Sequence, residues 1–142
     1  MKTIWSSAMA TTAMTAFSYI FSFITGANLK EPYILGQLYN RLMPWQSKRR
    51  NLVTGWLTHY AVGLLFTELY SRLWHGCEKK EKKNGLVFGG IAGLAAILIW
   101  KFTLTVHPFA PRLRFELFAL NLFLGHLIFG FVTSITSSVS TN

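Results

Sequence analysis

Two histidines stand within the most apolar stretches of this chain, His59 in "LVTGWLTHYAVGLLF" (52–66) and His126 in "ALNLFLGHLIFGFVTS" (119–134). An imidazole can carry a proton near neutral pH, ligate a metal, or tie two helices together. Read as helices, the first stretch puts His59, Gly63, Phe66 and Tyr70 on one narrow stripe. The second does the same for Leu122, His126, Gly130 and Thr133, with Asn121 elsewhere. If both helices cross a bilayer in the same direction, His59 lies about seven residues in and His126 about eleven, an offset of ~6 Å at ~1.5 Å per residue. Helix tilt can remove it. The two imidazoles are therefore expected to face each other inside a bundle, with Tyr70 and Thr133 as neighbouring polar groups.

Three chemistries fit that placement. The simplest is structural: each histidine bonds a hydroxyl or carbonyl of another helix and fixes packing, as polar groups in lipid often do. The second is a proton, small-ion or solute path, which ionisable groups inside membrane spans often mark. The third is a haem b iron held between His59 and His126, with Gly63, Gly125 and Gly130 leaving room for a flat ring. The structural reading is preferred and no cofactor is expected. No GxSxG, HExxH, P-loop or CxxC motif occurs, and the chain has no aspartate, so a soluble-type enzyme is not expected. The single cysteine, Cys77, allows no internal disulfide. The best polar cluster near one surface, His107, Arg112, Arg114 and Glu116 beside Lys48, Arg49 and Arg50, suits lipid phosphates. A solvated positive loop is the plainer alternative.

What must position these residues follows from composition. Of 142 residues only 13% are charged and 51% are apolar, against roughly a quarter charged in soluble domains. No Lys, Arg, Asp or Glu occurs from Thr3 to Leu29, Leu52 to Thr67, Asn84 to Trp100 or Leu117 to Asn142. Runs of ~18–20 apolar residues cross a bilayer as helices. The segment "GLVFGGIAGLAAILIW" (85–100) has no polar face, which a soluble core helix would have. The expectation is a single all-α transmembrane domain, an antiparallel four-helix bundle with spans at about 4–26, 52–74, 85–106 and 115–138. The first run is too long for a typical signal-peptide core. Its Ser7, Ala8, Thr11, Thr12, Thr15 and Ser18 recur at helical spacing and suit close helix contact.

Between the first two spans, Pro32 and Pro44 bracket "PYILGQLYNRLM", where Ile34, Leu35, Leu38 and Leu42 share one face and Gln37 and Arg41 another. This predicts a short amphipathic helix over about 32–43, lying at the membrane surface with Tyr33 and Trp45 as anchors. Gly89 with Gly93 and Ala92 with Ala96 permit a tight crossing of the third span. Glu68 and Arg72, four apart, can pair. Pro108 and Pro111 separate the last two spans. Four spans put both termini on one side. Basic residues number seven in the first and third connections (Lys30, Arg41, Lys48, Arg49, Arg50, Arg112, Arg114). They number six on the other side (Lys2, Arg72, Lys79, Lys80, Lys82, Lys83), so the positive-inside rule leaves the side open. The formal charge of +9 points to anionic lipids as neighbours, not to nucleic acid. The aromatic run Phe17, Tyr19, Phe21 and Phe23 offers contact surface for a second copy or a larger membrane complex.

The order of features is also familiar. "ATTAMTAFSYIF", the Pro-led "EPYILGQLYN", "THYAVGLLFTELY", a Gly-rich third span followed by "HP", and "LGHLIFGFVTS" resemble the small four-span bacterial inner-membrane proteins of the YagU-like group. The resemblance runs over nearly the whole chain. It implies a bacterial inner-membrane, multi-pass protein, with His59, His107 and His126 at the positions of the group's recurring histidines. It implies no activity.

Overall fold

The computed structural model describes residues 2–74 and 82–138. "HGCEKKE" (75–81), with Cys77, lies outside the described residues. The described chain is helical: α1 (Lys2–Thr25), α2 (Glu31–Leu42), α3 (Lys48–Leu73), α4 (Lys82–Val106) and α5 (Phe115–Ser138). Local chemistry sets the breaks. Pro32 is accommodated in the first turn of α2, where its missing N–H costs nothing. Ser47 caps α3, its Oγ accepting the Arg50 N–H at 3.3 Å. Pro108 and Pro111 lie in the connection between α4 and α5, where neither can continue a helix.

The distribution of residue types is inverted relative to a soluble protein. On α1, Ser6, Ser7, Thr11, Thr15, Ser18 and Ser22 are buried, while Ile4, Trp5, Ile20, Phe23 and Ile24 are exposed. On α3 the buried face is Asn51, Gly55, His59, Gly63, Thr67 and Tyr70. Its exposed face carries Val53, Leu57, Leu65 and Leu69. Buried polar and exposed large apolar side chains are the informative departures from the ordinary pattern. Both make sense when the surrounding solvent is hydrocarbon and small polar residues mediate helix contact. Three helical segments, Thr3–Thr25, Lys83–Val106 and Phe115–Ser137, are long and apolar enough to cross a membrane. α3, at 26 residues, has the length but is less apolar, with Asn51, His59 and Thr67 on its inward face and exposed charges at Lys48, Arg49, Arg50 and Arg72. The Arg72 Nε donates to Glu68 at 2.9 Å near its end.

Helix contacts follow a consistent order. Along α1, Ser6 meets Thr136, Met14 meets Gly125 and Ser18 meets Asn121 of α5. Against α3, Thr11 meets Gly63 and Thr15 meets His59. Between α4 and α5, Gly85 lies on Gly130 and Ser134, Gly89 on His126 and Leu127, and Gly93 on Phe123. In each pair residue numbers rise on one helix as they fall on the other.

α2 packs one face into the molecule and leaves Tyr33, Arg41 and Leu42 exposed on another. The chain turns at Gly26, whose φ of 63° is open to glycine at no steric cost, and folds back along α1. Ser18 donates to the Leu29 carbonyl at 2.8 Å, Ser22 to the Ala27 carbonyl, and Asn121 Nδ2 to Leu29 O at 3.1 Å. These side chains satisfy a backbone segment that would otherwise be unpaired in a buried position. α2 then starts inside the molecule and runs back along α3: Pro32 lies by Gly55, Gly36 by Leu52, and Asn51 Nδ2 donates to Asn40 at 3.3 Å. A Cβ on Gly55 would strike the Gly36 backbone, so two glycines make this approach. Glu31, Pro32, Ile34, Gly36 and Leu38 are buried. The 3.6-residue pattern gave the helix, but the depth of its first turn depends on Ser18, Ser22 and Asn121, which are remote in sequence.

Two apolar clusters result. One gathers Met14, Tyr70, Phe88 and Phe129. The other gathers Leu29, Ile34, Trp100, Phe118 and Leu122. His126 comes from the stretch of α5 between them.

Candidate functional site

A cavity of about 140 Å³ is lined by Glu31 and Leu35 of α2, Thr58, His59, Val62 and Phe66 of α3, Ala96, Ile99, Trp100 and Thr103 of α4, and His126 of α5. A smaller space of about 30 Å³ shares Glu31, His59 and His126 and is closed by Met14, Gly63 and Phe129. His59 and His126 line one cavity, and the Glu31 carboxyl borders it with them.

Hydrogen bonding decides what each imidazole offers. The Thr15 hydroxyl donates to Thr11 O at 2.7 Å. With its one proton used, it accepts from His59 Nε2 at 2.9 Å, so His59 carries its proton on Nε2 and presents Nδ1 as an acceptor when neutral. On α5, His126 Nδ1 lies 2.7 Å from Leu122 O. A carbonyl only accepts, so Nδ1 is protonated and Nε2 is the free acceptor. Each ring is held through one nitrogen and leaves the other uncommitted. His126 is further set edge-on to Phe66 at 6.2 Å.

Glu31 is 5% exposed and has no hydrogen-bond partner among the described residues. Burial pushes its carboxyl up to about 8, because the charged form loses its hydration. At neutral pH it is therefore mostly protonated, a donor facing two imidazole acceptors. Thr15 and Tyr19 on α1 and Trp100 and Thr103 on α4 bring no charge. Lys30, next in the chain, turns away over the Tyr19 ring at 5.1 Å. The arrangement can hold one proton among three groups. A space of this size admits a few waters. Among the described residues no group of three or more His, Cys, Asp or Glu is arranged to hold a metal ion.

The other expected site residues lie elsewhere. Tyr70 is fully buried but stacks on Trp74 at 4.9 Å and meets Phe88 at 5.3 Å, outside the cavity. Thr133 is also buried, more than one turn beyond His126, and does not line the cavity. His107 is committed at both nitrogens, Nδ1 accepting from Phe109 N at 3.1 Å and Nε2 reaching Leu38 O at 3.3 Å. It fastens the α4–α5 connection onto α2. Lys48, Arg49 and Arg50 are exposed on the first turn of α3, and Arg112 and Arg114 are exposed in the connection before α5. Glu31 was not legible from sequence: as the acidic first residue of a Pro-led helix it has the form of an ordinary N-terminal charge. The one cue, a lone acid between Leu29 and Ile34 in "LKEPYI", gains meaning only once the chain folds back on α1.

No family model, curated protein or solved structure matches this chain.

Proposed function

We propose that the protein is a four-span antiparallel membrane bundle, with α3 as the fourth span and α2 as a re-entrant half-helix, whose interior site takes up and passes protons. One observation carries this reading: an unpartnered carboxyl, 5% exposed, shares its cavity with two imidazoles that each keep one nitrogen free. The contact order of the helices supports the antiparallel arrangement, and the lipid-type outer face of α3 supports its place as a span. Irregular backbone at membrane depth is tolerated where its polar groups are satisfied within the protein, as the Ala27 and Leu29 carbonyls are by Ser22, Ser18 and Asn121. Ionisable groups facing a bundle interior commonly form proton relays.

A purely structural role accounts for the Thr15–His59 and Leu122–His126 bonds. It leaves without a role the Glu31 carboxyl, which makes no hydrogen bond among the described residues. Haem b between the histidines finds little support, since the cavity of about 140 Å³ is smaller than the ~300 Å³ at which small-molecule pockets begin. Bacterial inner-membrane residence, kinship with the YagU-like group and assembly with a second copy or larger partner belong to the same proposal.

The test is proton flux into liposomes carrying the purified protein and a trapped pH dye. Flux above that of empty liposomes is expected, falling at least about tenfold in Glu31→Gln, a loss of ~1.4 kcal/mol or more. Flux no faster than in empty liposomes would return the site to a structural role.

A further inference from the structure

A second concavity, of about 320 Å³, lies between α2 and α3 at the end of the molecule where α3 begins, with Tyr33, Gln37, Asn40, Arg41 and Lys48 in its wall and Leu52 at its base. No carboxylate lines it. Asn40 Oδ1 already accepts from Asn51 Nδ2 at 3.3 Å, which turns the Asn40 amide N–H₂ into a free donor. Arg41 is held by one N–H to Phe109 O at 2.6 Å, so the rest of its guanidinium fork is oriented rather than loose. The wall therefore presents two cations and amide donors and no acidic group. The volume falls within the ~300–1,000 Å³ of ligand sites.

The surroundings narrow the class of ligand. The one ion pair among the described residues is Glu68–Arg72, on α3 far from this end, so Arg41 and Lys48 have no carboxylate partner among them. The chain around the lining residues also carries exposed apolar side chains, Leu42, Trp45 and Val53, of the kind that meet acyl chains and the interface. We infer that this α2–α3 concavity binds a phosphate oxyanion between Arg41 and Lys48, that of an anionic phospholipid headgroup whose acyl chains lie on the neighbouring apolar surface. The phosphate takes the guanidinium fork and the ammonium, Asn40 and Gln37 donate to its remaining oxygens, and the site works independently of Glu31.

The test uses delipidated full-length protein in detergent, titrated with phosphatidylglycerol or phosphatidylcholine mixed micelles and, separately, with inorganic phosphate, with lipid retention read by native mass spectrometry. Phosphatidylglycerol is expected to bind preferentially. The double variant Arg41→Gln, Lys48→Gln loses about thirtyfold, the effect of two interfacial cations. Arg112→Gln with Arg114→Gln stays within about twofold, since neither residue lines the site. Gln37→Glu, which keeps both cations and adds a like charge to the ligand, weakens binding in the same direction and covers the case where the double variant does not fold. Inorganic phosphate bound as tightly as the lipid, with the same sensitivity to these variants, identifies free phosphate as the source and upholds the site. Equal binding of the two lipids, equal losses in both double variants, or no loss in Arg41→Gln, Lys48→Gln overturns it.

Discussion

The two flanks of α4 meet their neighbours in opposite ways. Toward α5, Gly85, Gly89 and Gly93 bring the backbones into contact, and a Cβ on Gly89 or Gly130 would run into main-chain atoms of the other helix. Toward α3, aromatic side chains join the helices at one end, Phe88 packing on Phe66 at 6.3 Å and Tyr70 at 5.3 Å. Farther along, Ala96, Ile99 and Thr103 border the cavity with Glu31 and the histidines. Small residues produce both outcomes. Glycines spaced four apart on α4, with Gly130 across from them, close a seam, whereas Ala96 lies in the cavity wall with His59. The tight seam and the cavity thus lie on two sides of one helix, and His126, whose carbonyl lies under Gly89 while the residue lines the cavity, belongs to both.

The largest effect is expected at the seam. Gly130→Ala would place a methyl onto the Gly85 carbonyl and the Gly89 backbone. Overpacking a core costs ~1–3 kcal/mol, and backbone on the opposing side cannot yield as a side chain does. The variant is expected to lose at least that much by thermal unfolding in detergent, followed by circular dichroism. Gly90→Ala is the control: its Cβ would meet only Leu127 Cδ2, at 3.8 Å. It should be neutral or slightly stabilising, given alanine's advantage of up to ~1 kcal/mol within helices. If the two variants behave alike, the seam is not the tight element described here.

The cavity flank responds to pH instead. Glu31 rises from 4.5 to about 8 on burial, so between those values the folded state holds a proton that the unfolded chain releases. Stability is therefore greatest below pH 4.5 as far as this group is concerned. It falls as pH rises toward 8, with a slope approaching ~1.4 kcal/mol per pH unit. Glu31→Gln should flatten that decline in unfolding midpoints measured across the range and be the more stable protein at pH 8. A wild-type decline unchanged by the substitution would place the titrating group elsewhere.

Smaller effects separate positioning from packing. Thr15→Val removes the acceptor of His59 Nε2 and should cost ~0.6–1.7 kcal/mol, the range for hydrogen bonds between membrane helices. It should also slow proton flux, because the ring is no longer oriented. Thr136→Val removes the hydroxyl that meets Ser6 at the far end of α1 and α5. It should cost a comparable ~0.6 kcal/mol and leave flux unchanged. Similar flux losses in both variants would mean that His59 orientation is not what Thr15 supplies.

Much of the helical layout was readable because lipid-facing residues must be apolar: charge-free runs and the breaks at Pro108 and Pro111 are local signals. His59 and His126, alike in depth and helical angle in the sequence, line one cavity. The rest of the site was less readable. Tyr70 shares a stripe with His59, yet three turns carry it into the Phe88–Trp74 cluster, since helical angle is silent about distance along the axis. Glu31 was missed for the converse reason. Its depth depends on Ser18, Ser22 and Asn121 bonding the 27–29 backbone, contacts between residues up to 92 positions apart. No periodicity within α2 encodes them.

The most direct test is the protonation of Glu31 itself. The chain has 5 acidic residues, all glutamates, so protein labelled with ¹³C at the glutamate side-chain carboxyl and reconstituted in bilayers gives a small set of carboxyl resonances to follow against pH. One resonance should titrate near 8 and be missing from Glu31→Gln, while His59→Ala and His126→Ala shift its midpoint. If every carboxyl resonance titrates in the ordinary range near 4.5, Glu31 is solvated and the buried proton-holding site does not exist.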